Sequence, residues 1–482
     1  MALQRFGVPL LRILWWTTVI LYAPYTLLSG TISAHREVLA LVVGLTLAGL
    51  GLGITWQTSL VVGLWLFIGL SGLGPLLLAL IGIGLAWRWR RTSPGQRTVI
   101  GRRRRWLYPV TLTATDRLLH LHVLGPTGSG KSSAVLMPMI AQDLAQGHGL
   151  TLIEPKADLS LTTRRLALAQ GRTVLWIDPD DAKSPHYNPL AGPGEVAAEG
   201  LAWALEQTSA AGHPFYETLG RLELLYAVMA VKAAQPDRAD LRQVMHFLRQ
   251  EDYRREVVAA VRDDRVIAYY REQVGRQSAA KAHELRIGLL NRLELLLVNP
   301  AVRNLITGSG DFTWDEVLAN GYVVVCPFSL ARLGQSARLL GNLFWHGLVM
   351  ATYRRPAPDR SPYFLYLDEF HQYVSPDLGD FLALARGYGV GIILAHQDFG
   401  QLTPPLKAAV MSNCRQRIVL GGISGADESV LHPDFAPVRP LRPSPRRLPR
   451  GAAWVERTVA GTVSPVIDVR LRYFPLTGGS NQ

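Results

Sequence analysis

The sequence predicts an α/β protein built on a mostly parallel sheet, and three observations carry that prediction. From Leu118 onward, short apolar runs of strand length recur, most of them separated by stretches with helical spacing of apolar residues, the pattern of repeated βαβ units. One strand–helix junction is a glycine-rich loop, G-P-T-G-S-G-K-S at residues 125–132, matching G-x-x-x-x-G-K-[ST] at every fixed position. One long interval, 193–305, shows no strand pattern and reads as helix, an all-α domain inserted into the sheet domain.

The first ninety residues read differently. Pro9–Leu28, Val38–Ile54 and Leu60–Trp87 are apolar runs near or above the length of a spanning helix, with tryptophans toward their ends. They predict a transmembrane helical region over residues 1–90 with two to four helices: either one run does not cross, or Leu60–Trp87 bends at Gly74-Pro75, or three runs cross and the N-terminus lies outside. The chain of 482 residues carries a net charge of +13, and the excess is localised. Residues 88–117 hold nine arginines against Asp116, and residues 437–450 hold five arginines and no acid, so the rest of the chain is neutral. The first cluster follows the last apolar run. This places that side in the cytoplasm by the positive-inside rule and makes residues 91–117 a basic juxtamembrane linker. Basic clusters also point to a polyanion, acidic lipid or nucleic acid. Two cysteines, Cys326 and Cys414, provide neither a disulfide framework nor a metal cluster.

Strands are expected at Leu118–Leu124, Leu150–Ile153, Thr173–Ile177, Tyr322–Cys326, Phe364–Leu367, Gly391–Ala395 and Arg417–Leu420, with two shorter ones at Ala453–Val455 and Val466–Leu471. The sheet domain therefore comprises residues 118–192 and 306–482. Helices are expected at Ser133–Gln146, at Leu378–Ala385 and throughout the insertion.

The loop carries the chemistry. Glycines at 125, 128 and 130 let the backbone curl so that its N–H groups, with Thr127, Ser129 and Ser133, converge on the phosphates of a nucleotide. Lys131 is expected against the β- and γ-phosphates of ATP and Ser132 on Mg²⁺. Residues 363–369, Y-F-L-Y-L-D-E, form an apolar strand ending in two carboxylates. Asp368 is suited to hold Mg²⁺, and Glu369 to polarise the attacking water. A second strand, within G-V-G-I-I-L-A-H-Q-D-F-G-Q-L, delivers Gln397 to the edge where open α/β sheets bind ligands; it reads as a γ-phosphate sensor or as a plain strand-end residue. Arg386 ends a helical run, either as an arginine finger reaching a neighbouring subunit or as a helix-capping cation.

Together these motifs resemble the type IV coupling proteins, the membrane-anchored ATPases of the TraG/TraD family in conjugation and type IV secretion. The resemblance runs from the apolar N-terminal region through G-P-T-G-S-G-K-S, I-E-P-K (Ile153–Lys156), Y-N-P-L (Tyr187–Leu190) ahead of the helical insertion, and L-D-E-F (Leu367–Phe370) to Arg386 and H-Q-D-F-G-Q-L. Glu154 stands where an Asp is more usual. The resemblance implies a RecA-like P-loop NTPase that works as a homo-hexamer, with ATP and Mg²⁺ as cofactors. Arg386 would then be the finger and Gln397 the sensor. It further implies an inner-membrane protein with its ATPase domain in the cytoplasm, moving relaxase-bound single-stranded DNA, or protein, into a type IV secretion channel. Two other readings share the motor motifs: a chromosome-segregation DNA pump, which would lack so long a helical insertion, and a nucleotide-binding module that docks substrates without translocating them.

Overall fold

The computed structural model describes residues 97–104, 108–206, 214–275, 278–374, 378–435, 444–459 and 461–476. The expected membrane region, residues 1–90, lies outside them, as do Arg439 and Arg442 of the C-terminal basic stretch. No helix among the described residues is long and apolar enough to cross a membrane.

Eleven strands form one sheet: β1 (Arg97–Arg103), β2 (Pro109–Thr113), β3 (Leu121–Leu124), β4 (Gly149–Glu154), β5 (Val174–Trp176), β6 (Val323–Pro327), β7 (Tyr363–Asp368), β8 (Val390–His396), β9 (Gln416–Leu420), β10 (Ala452–Glu456) and, after a small hairpin of β11 (Thr458–Val459) and β12 (Thr462–Val463), β13 (Ile467–Arg470). Their order is β2-β1-β13-β10-β9-β3-β8-β7-β4-β6-β5. The seven strands from β9 to β5 run parallel, and the other four extend one edge antiparallel. All the parallel strands except the edge strand β5 are buried on both faces, which is why they read as apolar runs.

Two features depart from the sequence expectation. The stretch read as a basic linker contains β1 and β2, whose T-V-I and V-T-L segments are rich in β-branched residues and put Ile100, Val110 and Leu112 into the core. The arginine run hides that alternation. The strand expected from Leu118 begins only at Leu121, because a short helix (Ala114–Arg117) and a left-handed His120 (φ 60°) turn the chain first.

Alternation along the strands divides the core in two. On β7, Phe364 and Tyr366 face one side, against the helices Met137–Ala145 and Asp158–Ala169; Tyr363, Leu365 and Leu367 face the other. That second cluster continues without interruption into the helices of the strandless interval. The main ones are Gly194–Glu206, Pro214–Ala234, Leu241–Arg249, Glu251–Ala260 and Ala279–Leu297. Asp240 starts the third of these by accepting hydrogen bonds from the Arg242 and Gln243 amides.

Arg117, counted in the basic cluster, is fully buried rather than facing a polyanion. Its guanidinium forms a two-pronged ion pair with Asp143, donates to Tyr366 Oη (2.8 Å) and Thr98 Oγ1 (2.9 Å), and lies 3.7 Å from the Phe364 ring centroid. One cation thereby fastens the antiparallel edge, the central strand β7 and the helix that follows the phosphate loop. Breaking a buried pair leaves an uncompensated charge, so Asp143→Ala should lower unfolding free energy by about 3–5 kcal/mol. Replacing Arg117 and Asp143 together by Leu should cost clearly less, and thermal unfolding of both variants measures the difference.

Candidate active site

The site forms where β3, β8 and β7 end side by side. Register pairs Leu124 with His396 and Asp368 with Ala395, so all three chains leave the sheet at one level. Left of centre, β3 runs into the glycine-rich loop. Gly128 (φ 78°) and Gly130 (φ 100°) are left-handed, and a Cβ on Gly125 would fall 2.8 Å from Ser129 Oγ and 2.9 Å from Leu420 Cβ. The Gly125 amide bonds the His396 carbonyl (3.3 Å), clamping the loop to β8. After Gly130 the chain enters a π-type turn, Lys131–Leu136, that continues as the helix Met137–Ala145.

β7 brings the acids. Glu369 sits in left-handed backbone (φ 51°, ψ 47°), a strained state for a side-chain-bearing residue. That kink leaves Asp368 and Glu369 both buried and both facing the loop. Ser132 Oγ donates to Asp368 Oδ2 (3.0 Å). Lys131 Nζ donates to the Gly125 carbonyl (2.7 Å) and stands 3.6 Å from Glu369 Oε1. Gln397, just past β8, closes the circuit: it accepts from Thr127 Oγ1 (2.8 Å) and donates to Glu369 Oε1 (3.0 Å). Lys131, Ser132, Thr127, Asp368, Glu369 and Gln397 are thus one connected group.

Ser133 belongs to the loop's far side, where its carbonyl accepts from the Phe474 amide (2.8 Å). Arg386 is not with the others. It lies exposed in the turn Arg386–Tyr388, before β8 begins, so the whole length of β8 separates it from the phosphate loop of its own chain.

Burial and its neighbour Glu369 hold the Asp368 carboxyl above the usual carboxylate range. Glu154, at the end of β4 beside β7, is pushed to about 8 by burial, against the opposing pull of hydrogen bonds from Ser160 and with a further push from Asp368. Sequence reasoning passes over His122, although a histidine inside the apolar L-H-V-L of β3 is a visible signal. Its Nε2 lies 2.7 Å from His396 Nε2. Because His396 Nδ1 must donate to the Asp398 carbonyl (2.9 Å), its Nε2 accepts, and His122 donates. Burial lowers both rings well below the usual imidazole range, to about 3 for His396, so the pair is neutral.

The donor set suits Mg²⁺ with a polyphosphate. Asp368 Oδ1 and Glu369 Oε2 are buried without hydrogen-bond partners, next to a hydroxyl and an ammonium. No group of three or more His, Cys, Asp or Glu forms a metal cluster among the described residues. A cation here would take one or two protein oxygens and complete its shell from phosphate and water, the habit of Mg²⁺.

The family model for type IV secretory system conjugative DNA transfer matches residues 94–407, well over half of the chain. The chain belongs to this family. No curated protein sequence matches it. Among solved structures, the plasmid coupling protein TrwB in complex with the non-hydrolysable GTP analogue GDPNP is 17% identical. That match has a TM-score of 0.60 and covers 81% of this chain and 92% of that one. TrwB in complex with ADP and Mg²⁺ is 18% identical, with a TM-score of 0.58, covering 77% and 89%. VirB4 of Thermoanaerobacter pseudethanolicus is 15% identical, with a TM-score of 0.53, covering 80% and 98%. At such identities the likeness is one of fold: a mixed α/β body on a mostly parallel sheet.

The raised Glu154 makes a pH prediction. A carboxyl with a folded value near 8 and an ordinary unfolded value near 4.5 gives stability that is complete below about 4.5 and is lost as pH rises through 8. Glu154→Gln should flatten that loss, by on the order of a few kcal/mol, in unfolding measured from pH 5 to 8.

Proposed function

We propose that this chain is the membrane-anchored, ATP-hydrolysing motor that couples DNA to a type IV secretion channel. The observation that carries the proposal is the convergence of Lys131, Ser132, Asp368, Glu369 and Gln397 at one sheet edge in a member of the conjugative DNA transfer family. The loop amides and Lys131 bind and neutralise the phosphates of ATP; Ser132 and Asp368 hold Mg²⁺, which when bound offsets charge on the phosphate oxygens. Glu369 takes a proton from the attacking water, and the strained backbone at this residue keeps its carboxylate aimed at the loop. Gln397, hydrogen-bonded to both Thr127 and Glu369, senses whether the γ-phosphate is present. Residues 1–90 anchor the chain in the inner membrane with the ATPase in the cytoplasm. Arg386, at the far end of β8 from its own phosphate loop, acts on the nucleotide of the next subunit in a homo-hexamer. The cargo is single-stranded DNA delivered by a relaxase.

Lys131→Ala should reduce hydrolysis by at least about 10²-fold, since a charge-stabilising donor is lost from the transition state. Glu369→Gln should keep ATP binding while turnover falls about 10²–10⁴-fold. Single-stranded DNA should stimulate the wild type in a salt-sensitive manner. Hydrolysis that ignores DNA under all salt conditions would favour a docking module over a motor.

Arg386→Ala should also be inactive, yet mixing it with Lys131→Ala subunits should restore part of the activity, because some interfaces then carry both groups. Mixed assemblies that stay dead would assign Arg386 to capping its own helix.

A further inference from the structure

The chain's last described segment crosses the phosphate loop on the side away from the acids. Leu471 bonds the Gly451 carbonyl through its amide (2.8 Å), and three residues later the Phe474 amide bonds the Ser133 carbonyl (2.8 Å). Tyr473 is held between these two anchors. Its ring lies against two glycines: a Cβ on Gly130 would fall 3.1 Å from the ring, and one on Gly451 likewise 3.1 Å. The Arg450 guanidinium sits over the ring, 5.7 Å from its centroid. Even so, Tyr473 keeps 42% of its surface exposed, which is a high value for an aromatic side chain fixed at both flanks.

Sheet order gives this ring a meaning. β3 and its loop lie between β8 and β7 on one side, which supply Gln397, Asp368 and Glu369, and β9, β10 and β13 on the other, which lead to Tyr473. In a phosphate loop of this type, the lysine reaches the β- and γ-phosphates while the amides after it hold the α-phosphate. The γ end of a bound nucleotide therefore points to the acids, and its nucleoside end leaves past Ser133, where Tyr473 stands. An exposed aromatic ring fixed at its edges by two glycines, with a guanidinium over one face, has the π-surface on which a nucleobase stacks.

We infer that Tyr473, supported by Arg450, is the platform on which the base of the bound nucleotide stacks. The inference rests on the reading of residues 125–132 as a nucleotide site. Stacking uses the π-face common to all bases, so the platform contributes affinity without strong choice between purines. Nothing in the sequence motifs marks it, because the residue lies more than three hundred positions from the loop.

The test separates base from phosphate. Titrations of the full-length chain with Mg-ADP, Mg-GDP and Mg-tripolyphosphate, which carries no base, are compared for wild type, Tyr473→Ala and Tyr473→Phe. Tyr473→Ala should weaken ADP and GDP by about tenfold each and leave tripolyphosphate unchanged, the unchanged probe also certifying an intact loop. Tyr473→Phe should bind all three as wild type does. Equal weakening of ADP and tripolyphosphate in Tyr473→Ala would make Tyr473 a mere prop for Gly130 and overturn the inference, as would unaltered ADP binding. Wild-type protein that bound neither ADP nor tripolyphosphate would remove the nucleotide site itself, and the platform with it.

Discussion

The parallel run of β3, β8 and β7 is the constraint on which the rest of this molecule depends. The phosphate loop and the acidic pair come from strands that do not touch each other, and β8 both spaces them and fills the gap with Gln397. A slip of one residue in β8 would send every side chain of that strand to the other face. Gln397 would then leave Thr127 and Glu369, and the His396 carbonyl would no longer meet the Gly125 amide. The neutral His122–His396 hydrogen bond acts directly on this register, joining β3 to β8 just beneath the loop without adding positive charge to a site that already holds Lys131.

The same edge is electrostatically costly. Glu154, Asp368 and Glu369 are buried close together, with Lys131 3.6 Å from Glu369, and burial makes the ionised forms of Glu154 and Asp368 unfavourable. A site under such strain favours ligands that bring positive charge to the carboxylates and negative charge to the ammonium, which is the pattern a metal–polyphosphate pair supplies. Stability is found elsewhere, in two apolar clusters and in the buried Arg117–Asp143–Tyr366 network, all behind the edge rather than at it.

Much of this was legible in the sequence because its signals are local. Residues 125–132 carry their own backbone requirement in Gly128 and Gly130, and Y-F-L-Y-L-D-E announces a buried strand ending in acids. What was illegible depends on distant partners. Arg117 reads as one more arginine in a basic run until Asp143 and Tyr366 are beside it, and β1 exists as a strand because β2 and β13 pair with it. Arg386 lies a short stretch of chain after the acidic pair, yet spacing along the chain says nothing of which end of a strand a residue occupies.

The packing behind the acids connects the site to the helical interval without slack. Tyr373, one turn beyond Glu369, is buried and its hydroxyl donates to the Phe328 carbonyl (3.1 Å). Its ring lies so close to the helix Gln335–Arg354 that a Cβ at Gly341 would overlap it. Two turns on, a Cβ at Gly347 would overlap the Tyr187 hydroxyl and the Trp314 indole, and Tyr187 opens the Y-N-P-L segment that leads into the helices. Glycine inside a helix costs about 1 kcal/mol relative to alanine, so two of them in one helix need a reason. Close approach provides it: the acidic turn, the long helix and the entry to the helical interval are in direct contact at each step. Dense cores of this kind shift between discrete arrangements rather than deforming gradually. Tyr373, the helix Gln335–Arg354 and Tyr187 therefore form one continuous packed path from the turn that carries Glu369 to the entry of the helical interval.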